Sequence, residues 1–527
     1  MRRLFLAAAL LALLGGAAAA QEPGDQPWWN DRVFYEIFVR SFYDSDGDGI
    51  GDLRGIIEKL DYLNDGDPAT TTDLGITGIW LMPVSPSPSY HGYDVTDYYA
   101  VNPEYGTADD FRELVAEAHR RGIAVIVDLV INHTSSQHPW FQSALADGLD
   151  SPYYDYYVWA DAPAGGGWHE RDGRYYYGHF WSEMPDLNYN SPAVTAAMYD
   201  IAAFWLTEMG VDGFRLDAAK HLIETRGRVE NTDETLAWLA DFNAHVRAVK
   251  PGALTVGEVW SPTSVIARYI PDSLDLAFEF GLAEGFIAAA RGGNAVQIRV
   301  PLGRALRSYP PGQFAPFLTN HDQNRVGSEL AGDMNRAKVA ATLLLTAPGV
   351  PFMYYGEEVG MQGTKPDPRI RTPMPWTADA PGLGFTTGAP WAEPFAGYET
   401  ASVAAQDADP DSLLNHYRAL VGLRSAQPAL RQGDTLSVEA DPRAVYSVLR
   451  FTDDEALLVV VNLSGEPVTD YALTLKSGPL TGAPAASLLW GTGEVIAPAV
   501  NAAGGFDAYR PLAVLAPHGS YVVRLAG

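Results

Sequence analysis

Short apolar runs alternate with longer amphipathic segments along most of the chain. Eight runs have the uninterrupted, β-branched character of strands buried on both faces, and they begin near residues 33, 78, 124, 213, 254, 274, 314 and 350. Segments between them, such as 108–120 and 193–209, have helical periodicity. Eight strand–helix units are the number that closes a parallel barrel, so the pattern predicts an α/β fold, a (β/α)8 TIM barrel.

Two segments depart from this alternation. Residues 133–190 are rich in Tyr, Trp, Gly and Pro, which predicts an inserted domain after the third strand. From residue 431 onward the runs become short and alternating, which indicates a C-terminal antiparallel β-sandwich. We therefore expect the barrel to occupy residues 21–132 and 191–430, the inserted domain 133–190 and the sandwich 431–527.

The N-terminus has the order of a secretory signal peptide. Met1-Arg2-Arg3 is basic, residues 4–14 are apolar, and Ala18-Ala19-Ala20 supplies small residues for cleavage. We expect residues 1–20 to be removed near Ala20 and the protein to be secreted, either extracellular or periplasmic. No apolar run reaches the roughly 20 residues that span a bilayer, so we expect no membrane attachment after cleavage.

Charge and cysteine content exclude several partners and chemistries. The 527 residues include 65 acidic and 36 basic side chains, for a net charge of −29, which disfavours nucleic acid and anionic lipid as partners. The chain has no cysteine, which excludes disulfides, thiolate nucleophiles and cysteine-ligated metals. A bound calcium ion is one way to stabilise such an exported chain.

Polar residues recur at the carboxyl ends of the predicted strands, where barrel enzymes place their chemistry. A single Asp there is most often a helix N-cap, but capping does not account for carboxylates and imidazoles at most of the strand ends. The candidates are His91, Tyr93, Asp128, His133, Arg215, Asp217, Lys220, His221, Glu258, His321 and Asp322.

Two of these carboxylates suit glycoside hydrolysis, which needs a pair with unequal pKa values. Arg215 and Asp217 are two residues apart on one strand and therefore share a face, so the guanidinium is expected to keep Asp217 ionised, as a nucleophile requires. Glu258 precedes apolar Val259 and Trp260, which predicts a raised pKa, as an acid catalyst requires.

The loop after the first strand has the spacing of a calcium site. Asp44, Asp46, Asp48 and Asp52, with the carbonyl of Ile50, offer hard oxygen ligands for Ca²⁺. The twelfth position is Gly55 rather than the Glu of an EF-hand, which favours a static site over a sensor. The alternative is a solvated acidic turn.

Several motifs resemble those of the α-amylase family of glycoside hydrolases (family 13). FRLDAAKH, GEVW, DLVINH and FLTNHD resemble its four core motifs, and GIWLMPV, GIGDLRG and MPDLN resemble its auxiliary motifs, in family order over about residues 30–430. The resemblance implies that Asp217 is the nucleophile, Glu258 the general acid/base and Asp322 the carboxylate that distorts and steadies the sugar.

The same resemblance implies roles for the other candidates. Arg215 would orient the nucleophile, His133 and His321 would bind sugar hydroxyls, and Tyr93 would stack on the ring with His91 and Asp128 nearby. Lys220 and His221 resemble the pair that serves the leaving-side sugar in true α-amylases. A second calcium site at Asn132, Asp186 and the carbonyl of His221 is left open.

Other motifs, GEEVGM at 356–361 and RTPMPW at 371–376, resemble relatives that cut small oligosaccharides. The chain is thus similar to an intermediate branch between oligo-1,6-glucosidase-like and neopullulanase-like members. This favours a monomeric, secreted enzyme that cleaves internal α-1,4 bonds of starch and related α-glucans with retention.

Three alternatives remain open. The first is an exo-acting α-glucosidase, an oligo-1,6-glucosidase or a cyclomaltodextrinase. The second is a transglycosylase or saccharide isomerase that uses the same residues. The third is an inactive member that acts as a binding subunit, although such proteins usually lack carboxylates of the catalytic triad, and this chain keeps all three.

Overall fold

The computed structural model describes residues 27–163, 165–225 and 227–526; the predicted signal peptide lies outside them. Seven parallel strands form the central sheet, and each is buried along its whole length. In sheet order the strands are Phe352–Tyr354, Phe34–Ile37, Gly78–Leu81, Ala124–Val130, Gly213–Asp217, Leu254–Gly257 and Leu276–Ala277.

An irregular segment at residues 314–318 closes the sheet into a barrel. On one side the Ala315 N–H donates to the Ala277 carbonyl (2.9 Å), and on the other the Phe352 N–H donates to the Pro316 carbonyl (2.9 Å). Pro316 has no N–H to donate, so this segment cannot continue a regular ladder. The eight-unit barrel predicted from the sequence is confirmed, with its seventh unit held by these few hydrogen bonds.

Inside the barrel, alternate side chains of neighbouring strands fill the interior, including Phe34, Trp80, Ile126, Val256 and Phe352. The helices that cover the outside and connect the strands are Val39–Phe42, Leu53–Glu58, Leu60–Leu63, Ala108–Arg120, Pro192–Thr207, Asp233–Val249, Thr263–Ile266, Phe280–Gly292, Val296–Ser308, Val326–Glu329, Met334–Thr346, Val403–Gln406, Leu413–Ala426 and Pro428–Arg431. Short 3-10 turns lie at Trp28–Asp31, Gly148–Asp150, Tyr154–Tyr156, Ala267–Tyr269, Glu357–Val359 and Asp367–Arg369.

The segment after the third strand forms the predicted insertion. It contains the helix Pro139–Asp147 and a small antiparallel sheet in the order Trp159–Ala160, Arg174–Tyr177, Trp168–Arg171. Ring contacts contribute to its packing, and Phe141 stacks on Trp159 at 5.7 Å between centroids. The Leu187 N–H donates to the Asn132 carbonyl, which ties the end of the insertion back to the barrel rim.

The C-terminal region is a sandwich of two antiparallel sheets, as the sequence predicts. The larger has the order Asp434–Ser437, Val445–Phe451, Ala456–Asn462, Ser520–Ala526, Ala485–Trp490, and the smaller has the order Glu439–Asp441, Ala472–Leu475, Phe506–Tyr509.

Four of the five strands of the larger sheet divide their side chains between two cores, and the edge strand Asp434–Ser437 is the exception. Leu458 and Val460 pack inside the sandwich, whereas Leu457, Val459 and Val461 belong to the core of the barrel. Successive residues of a strand point to opposite faces of the sheet, and these strands have apolar residues at both sets of positions, so both faces are apolar. The exact domain limits stay predictions.

Among the described residues, none of the helices combines the length and apolar character that crossing a bilayer requires.

Candidate active site

One arginine joins three carboxylates from three neighbouring barrel strands. Arg215 is fully buried at the carboxyl end of the strand Gly213–Asp217. Its Nη1 donates to Asp128 at 2.9 Å and to Asp217 at 2.8 Å, and its Nη2 donates to Glu258 at 2.6 Å. The two carboxyl groups singled out from the sequence therefore lie on either side of a single guanidinium group.

Burial is the largest cause of the pKa shifts of the three carboxyl groups that contact Arg215. It raises the pKa of Glu258 and also that of Asp217, in each case against the opposing attraction of Arg215. For Asp128, burial raises the pKa to about 7. The guanidinium acts on Asp217 in the direction that the sequence suggested, but burial outweighs it, so the net shift in the pKa of Asp217 is opposite to the one Arg215 alone would produce.

The third carboxylate lies in a different electrostatic setting. Asp322 accepts a hydrogen bond from Arg371 (2.8 Å) and lies 3.2 Å from His321, whose other ring nitrogen meets buried Glu36. Burial alone would raise the pKa of Asp322, but His321 and Arg371 outweigh it and hold that pKa well below its usual range. Burial alone would lower the pKa of His321, yet Asp322 and Glu36 raise it to about 9.

Tyr93 connects Asp128, a partner of Arg215, to His321, the neighbour of Asp322. Its hydroxyl donates to Asp128 at 2.9 Å and lies 2.7 Å from Nε2 of His321, and its ring stacks on that imidazole. The backbone N–H of Tyr93 donates to Nδ1 of His91 at 3.1 Å, which places His91 beside it. The predicted aromatic and imidazole residues thus form one connected wall.

Three further predicted residues lie on the other walls of the site. Burial lowers the pKa of His133 to about 4, which favours the neutral ring, and Nδ1 lies 3.0 Å from the Asn132 side-chain oxygen. Lys220 donates to Glu230 at 2.6 Å and to the Trp260 carbonyl at 3.0 Å. His221 lies 3.0 Å from the Val229 carbonyl.

A cavity of about 520 Å³ opens above this network. The predicted residues that line it are His91, Tyr93, His133, Asp217, Lys220, His221, Glu258 and Asp322, whereas Asp128, Arg215 and His321 lie behind that lining. Phe180, Trp181 and Trp260 also line it and keep 49%, 49% and 43% of their surface exposed. A cavity of this size with carboxylates below and aromatic faces at the mouth suits a saccharide.

Sequence reasoning missed two groups that set the charge of the site. Glu36 lies in the middle of a buried strand, and a lone carboxylate in such a run was a usable signal. Arg371 lies in the RTPMPW stretch, but its contact with Asp322 crosses 49 residues and has no local pattern. Asp367 lines the cavity beside Arg371, at 3.3 Å from it.

The acidic loop brings part of the predicted metal set together. Oxygens of Asp44, Asp46 and Asp48 lie within 4.8 Å of one another, and this hard donor set fits a calcium ion. Gly49 has φ +95°, and a side chain there would collide with the Ala389 carbonyl, so the turn requires glycine.

The remaining predicted ligands of this loop are arranged differently. The Asp52 carboxylate accepts from the backbone N–H of Gly55 at 2.7 Å and of Ser45 at 2.8 Å, and Asp52 is thereby the N-cap of the helix Leu53–Glu58. The participation of Asp52 and of the Ile50 carbonyl in metal binding stays a prediction.

The residues of the second candidate calcium site also meet. The Asn132 side chain donates to the His221 carbonyl at 2.8 Å, and one oxygen of Asp186 accepts from the His179 N–H at 2.9 Å. The other oxygen of Asp186 is buried without a hydrogen bond to any described residue. Burial raises the pKa of Asp186 well above its usual range.

A closed parallel barrel with acidic side chains converging over a saccharide-sized cavity defines the protein as an enzyme of the glycoside hydrolase class. The family model for the α-amylase catalytic domain matches residues 36–433, and the chain belongs to the α-amylase family.

Known relatives differ in the activity that their names state. The chain is 41% identical to α-amylase 3 of Dictyoglomus thermophilum, over 84% of this chain and 86% of that protein. It is 36% identical to the trehalose synthase/amylase TreS of Mycobacterium tuberculosis, over 86% of this chain and 84% of that one. The crystal structure of the α-amylase from H. orenii superposes with a TM-score of 0.81 at 43% identity and covers 94% of this chain and 99% of that one.

Proposed function

We propose that the protein is an endo-acting, retaining α-amylase that cleaves internal α-1,4 bonds of starch and related glucans. The observation that carries the proposal is the pair Asp217 and Glu258, hydrogen-bonded to one guanidinium at the base of the cavity. A retaining mechanism needs its two carboxyl groups about 5 Å apart, and one shared guanidinium spans a gap of that order.

In the proposed mechanism the two carboxyl groups act in turn. Burial keeps Glu258 protonated more readily than an exposed Glu, so it donates its proton to the leaving oxygen while Asp217 attacks the anomeric carbon. Water then takes up the glycosyl group, and Glu258 removes the proton of that water. The anionic Asp322 stabilises the positive charge that develops on the sugar ring.

The outer wall of the cavity supports a polymeric substrate. Phe180 and Trp181, each 49% exposed, and Trp260, 43% exposed, present apolar faces beyond the two carboxylates, where further sugar units of a chain would pack. Two relatives whose names state α-amylase, at 41% and 43% identity, support the same activity.

A second candidate is an exo-acting glucosidase or a saccharide isomerase. Arg371 and Asp367 form an ion pair at 3.3 Å and both line the cavity, and exo action requires that this pair close one end of the cleft. Relatives named oligo-1,6-glucosidase and trehalose synthase, at 32% and 34% identity, favour it.

Products from starch, maltotriose, isomaltose and a cyclodextrin, analysed in parallel, separate these activities. We expect mixed short maltooligosaccharides early from starch and little turnover of isomaltose. Glucose as the first product would contradict endo action. A parallel incubation with maltose tests the isomerase, since conversion of maltose to an isomeric disaccharide would show that a sugar rather than water accepts the glycosyl group.

The nucleophile assignment predicts that Asp217→Asn lowers kcat on starch at least roughly a thousandfold, because an amide cannot form the glycosyl ester. The matched control is Asp109→Asn, whose side chain is 93% exposed and far from the cavity. Circular dichroism of both variants checks the fold. A folded, active Asp217→Asn enzyme would reject the assignment.

We further propose export and a structural calcium ion. The order of the first twenty residues supports signal cleavage near Ala20. The convergence of Asp44, Asp46 and Asp48 supports calcium as the resident ion, which would hold the loop against the barrel rim. N-terminal sequencing of secreted protein and metal analysis after dialysis test these two proposals.

A further inference from the structure

Three arginines converge where the barrel meets the C-terminal sandwich. Arg424 and Arg450 are 1% and 0% exposed, and Arg431 lies beside them at the end of the helix Pro428–Arg431. Arg424 donates to the carbonyls of Leu345, Ala347 and Gly349, and Arg450 to those of Thr346 and Gly433. All of these acceptors are neutral backbone groups.

The positive charge of this cluster is only partly balanced. The carboxyl end of the helix Met334–Thr346 contributes about half a negative charge. Asp31 and Asp434 are the acidic groups that face the cluster, and both are exposed. Asp31 accepts from Gln432 at 2.8 Å, while Nε of Arg431 lies 3.4 Å away. Burial and then the neighbouring Arg450 and Arg431 lower the pKa of Arg424, which is the expected sign of uncompensated charge.

A small cavity lies among these groups. Its volume is about 30 Å³, and exposed Gln432 connects it to solvent. The other polar side chains of its lining are Arg431, Arg450 and Asn30, and the rest are Gly and Pro residues that include Gly349 and Gly433, whereas Arg424 lies outside the lining. Nε of Arg450 is buried and makes no hydrogen bond to any described residue, and Nε of Arg431 is buried without hydrogen-bond geometry to its neighbours. About 30 Å³ is room for one water-sized species.

We propose that this cavity binds one small monovalent anion of chloride size. The walls offer Nε of Arg450, which makes no hydrogen bond to a described residue, and Nε of Arg431, whose ion-pair partner Asp31 already accepts from Gln432. The nearby carbonyls already accept hydrogen bonds from the arginines, so an acceptor that carries negative charge fits the site. A water molecule would satisfy the donors but leave the guanidinium charges uncompensated, which is costly when they are buried. Sulfate and phosphate are too large for this volume.

The anion would join three parts of the chain. Gly349 precedes the last barrel strand, Arg431 ends the connecting helix, and Arg450 lies on the strand Val445–Phe451 of the sandwich. An ion that binds only the folded arrangement stabilises it by mass action. The site is therefore a structural anion site, separate from the carboxylate-lined cavity.

The full-length protein is unfolded thermally in chloride and in gluconate at equal ionic strength and constant calcium. We expect Tm to rise by roughly 1–3 °C when about 200 mM gluconate is replaced by chloride, with bromide acting similarly. Crystals soaked in bromide should show an anomalous peak between Arg431 and Arg450. Equal Tm values in the two salts, or a bromide-free cavity that holds water or a carboxylate of the chain itself, would overturn the proposal.

Arg431→Gln tests the location, because its side chain is 28% exposed and the substitution removes the charge and the Nε donor without emptying the core. The matched control is Arg291→Gln, which removes the same charge from a 54% exposed side chain paired with Glu329. We expect the chloride-dependent rise in Tm to vanish in Arg431→Gln and to persist in Arg291→Gln. Retention of the full rise in Arg431→Gln, or its loss in the control, would contradict the assignment.

Discussion

At the scale of single residues, Glu36 shows how one buried charge on a strand raises the pKa of a histidine on another part of the chain. It lies on the first barrel strand and meets His321, whose pKa it and Asp322 raise to about 9. Because that pKa lies above the ordinary value of 6.5, the stability contributed by the imidazolium is full below about pH 6.5 and is lost as the pH rises through about 9.

We predict that Glu36→Gln moves the alkaline limb of the kcat/KM profile to lower pH. Removal of the Glu36 charge lowers the pKa of His321, so the imidazolium beside Asp322 is lost at lower pH. In the proposed mechanism the alkaline limb also depends on the proton of Glu258, whereas the acid limb depends on ionisation of Asp217 and moves less. The profile is measured on a soluble maltooligosaccharide from about pH 5 to about pH 10.

The control for this profile is Glu279→Gln. Glu279 is equally buried in the barrel but is bonded to Thr263 and Tyr309 rather than to His321. An unshifted alkaline limb in Glu36→Gln, or the same shift in both variants, would show that Glu36 does not act through His321.

The sequence was sufficient for some site residues and insufficient for others. Asp217, Glu258 and Asp322 were predictable because short motifs contain them at strand ends. The direction of the pKa shift of Asp217 was not predictable, since it depends on how much water the fold excludes. Arg371 was not predictable as a neighbour of Asp322, because only tertiary folding brings them together.

At the scale of elements, the acidic loop 44–52 contributes to stability in two ways, as a proposed calcium site and as the cap of the helix that follows it. Asp46 belongs to the carboxylate cluster, whereas Asp52 caps the helix Leu53–Glu58 through Gly55. The contribution of a cap does not require metal, but the contribution of a calcium ligand does.

We predict that Asp52→Ala destabilises the protein by about 1 kcal/mol in excess chelator, where only the helix cap is lost. A larger loss with calcium present would show that Asp52 is also a calcium ligand. Asp46→Asn should lower Tm with calcium present and leave the chelator-treated value nearly unchanged. Thermal unfolding of wild type and both variants under the two conditions gives the comparison. A wild-type Tm that does not respond to chelator would count against the calcium site.

The sequence predicted the positions of the barrel strands better than the regularity of their hydrogen bonding. The apolar run near residue 314 occupies the predicted barrel position, yet it joins its neighbours through only a few backbone hydrogen bonds. Pro316 explains this, because it accepts but cannot donate. The pattern of apolar residues predicts which segments are buried. Whether a buried segment forms a regular strand depends also on whether its backbone N–H groups can donate to the neighbouring strand.

At the scale of the whole molecule, the barrel and the sandwich share a core. Tyr446, Val448, Leu457, Val459 and Val461 lie on the sheet face that packs with the barrel. Five such side chains, at about 1.5–3 kcal/mol each, represent roughly 10 kcal/mol of burial, comparable to the stability of a whole domain.

We predict that the full chain unfolds in one calorimetric transition and that a chain ending at residue 431 is not recovered as folded protein. Removal of the sandwich exposes the apolar surface beneath it and takes away Arg450, which bonds to the Thr346 carbonyl. Scanning calorimetry and soluble yield measure the two outcomes. A truncated chain with near-native Tm would show that the shared core is dispensable.

The single guanidinium between Asp217 and Glu258 has a consequence for the timing of proton transfer. In the proposed mechanism, Asp217 loses on ester formation the negative charge that favoured the protonated form of Glu258, while Arg215 keeps its charge. The proton affinity of Glu258 then falls just as the departing product leaves it ionised. The first half of the proposed reaction would thereby prepare Glu258 to act as the base in the second half.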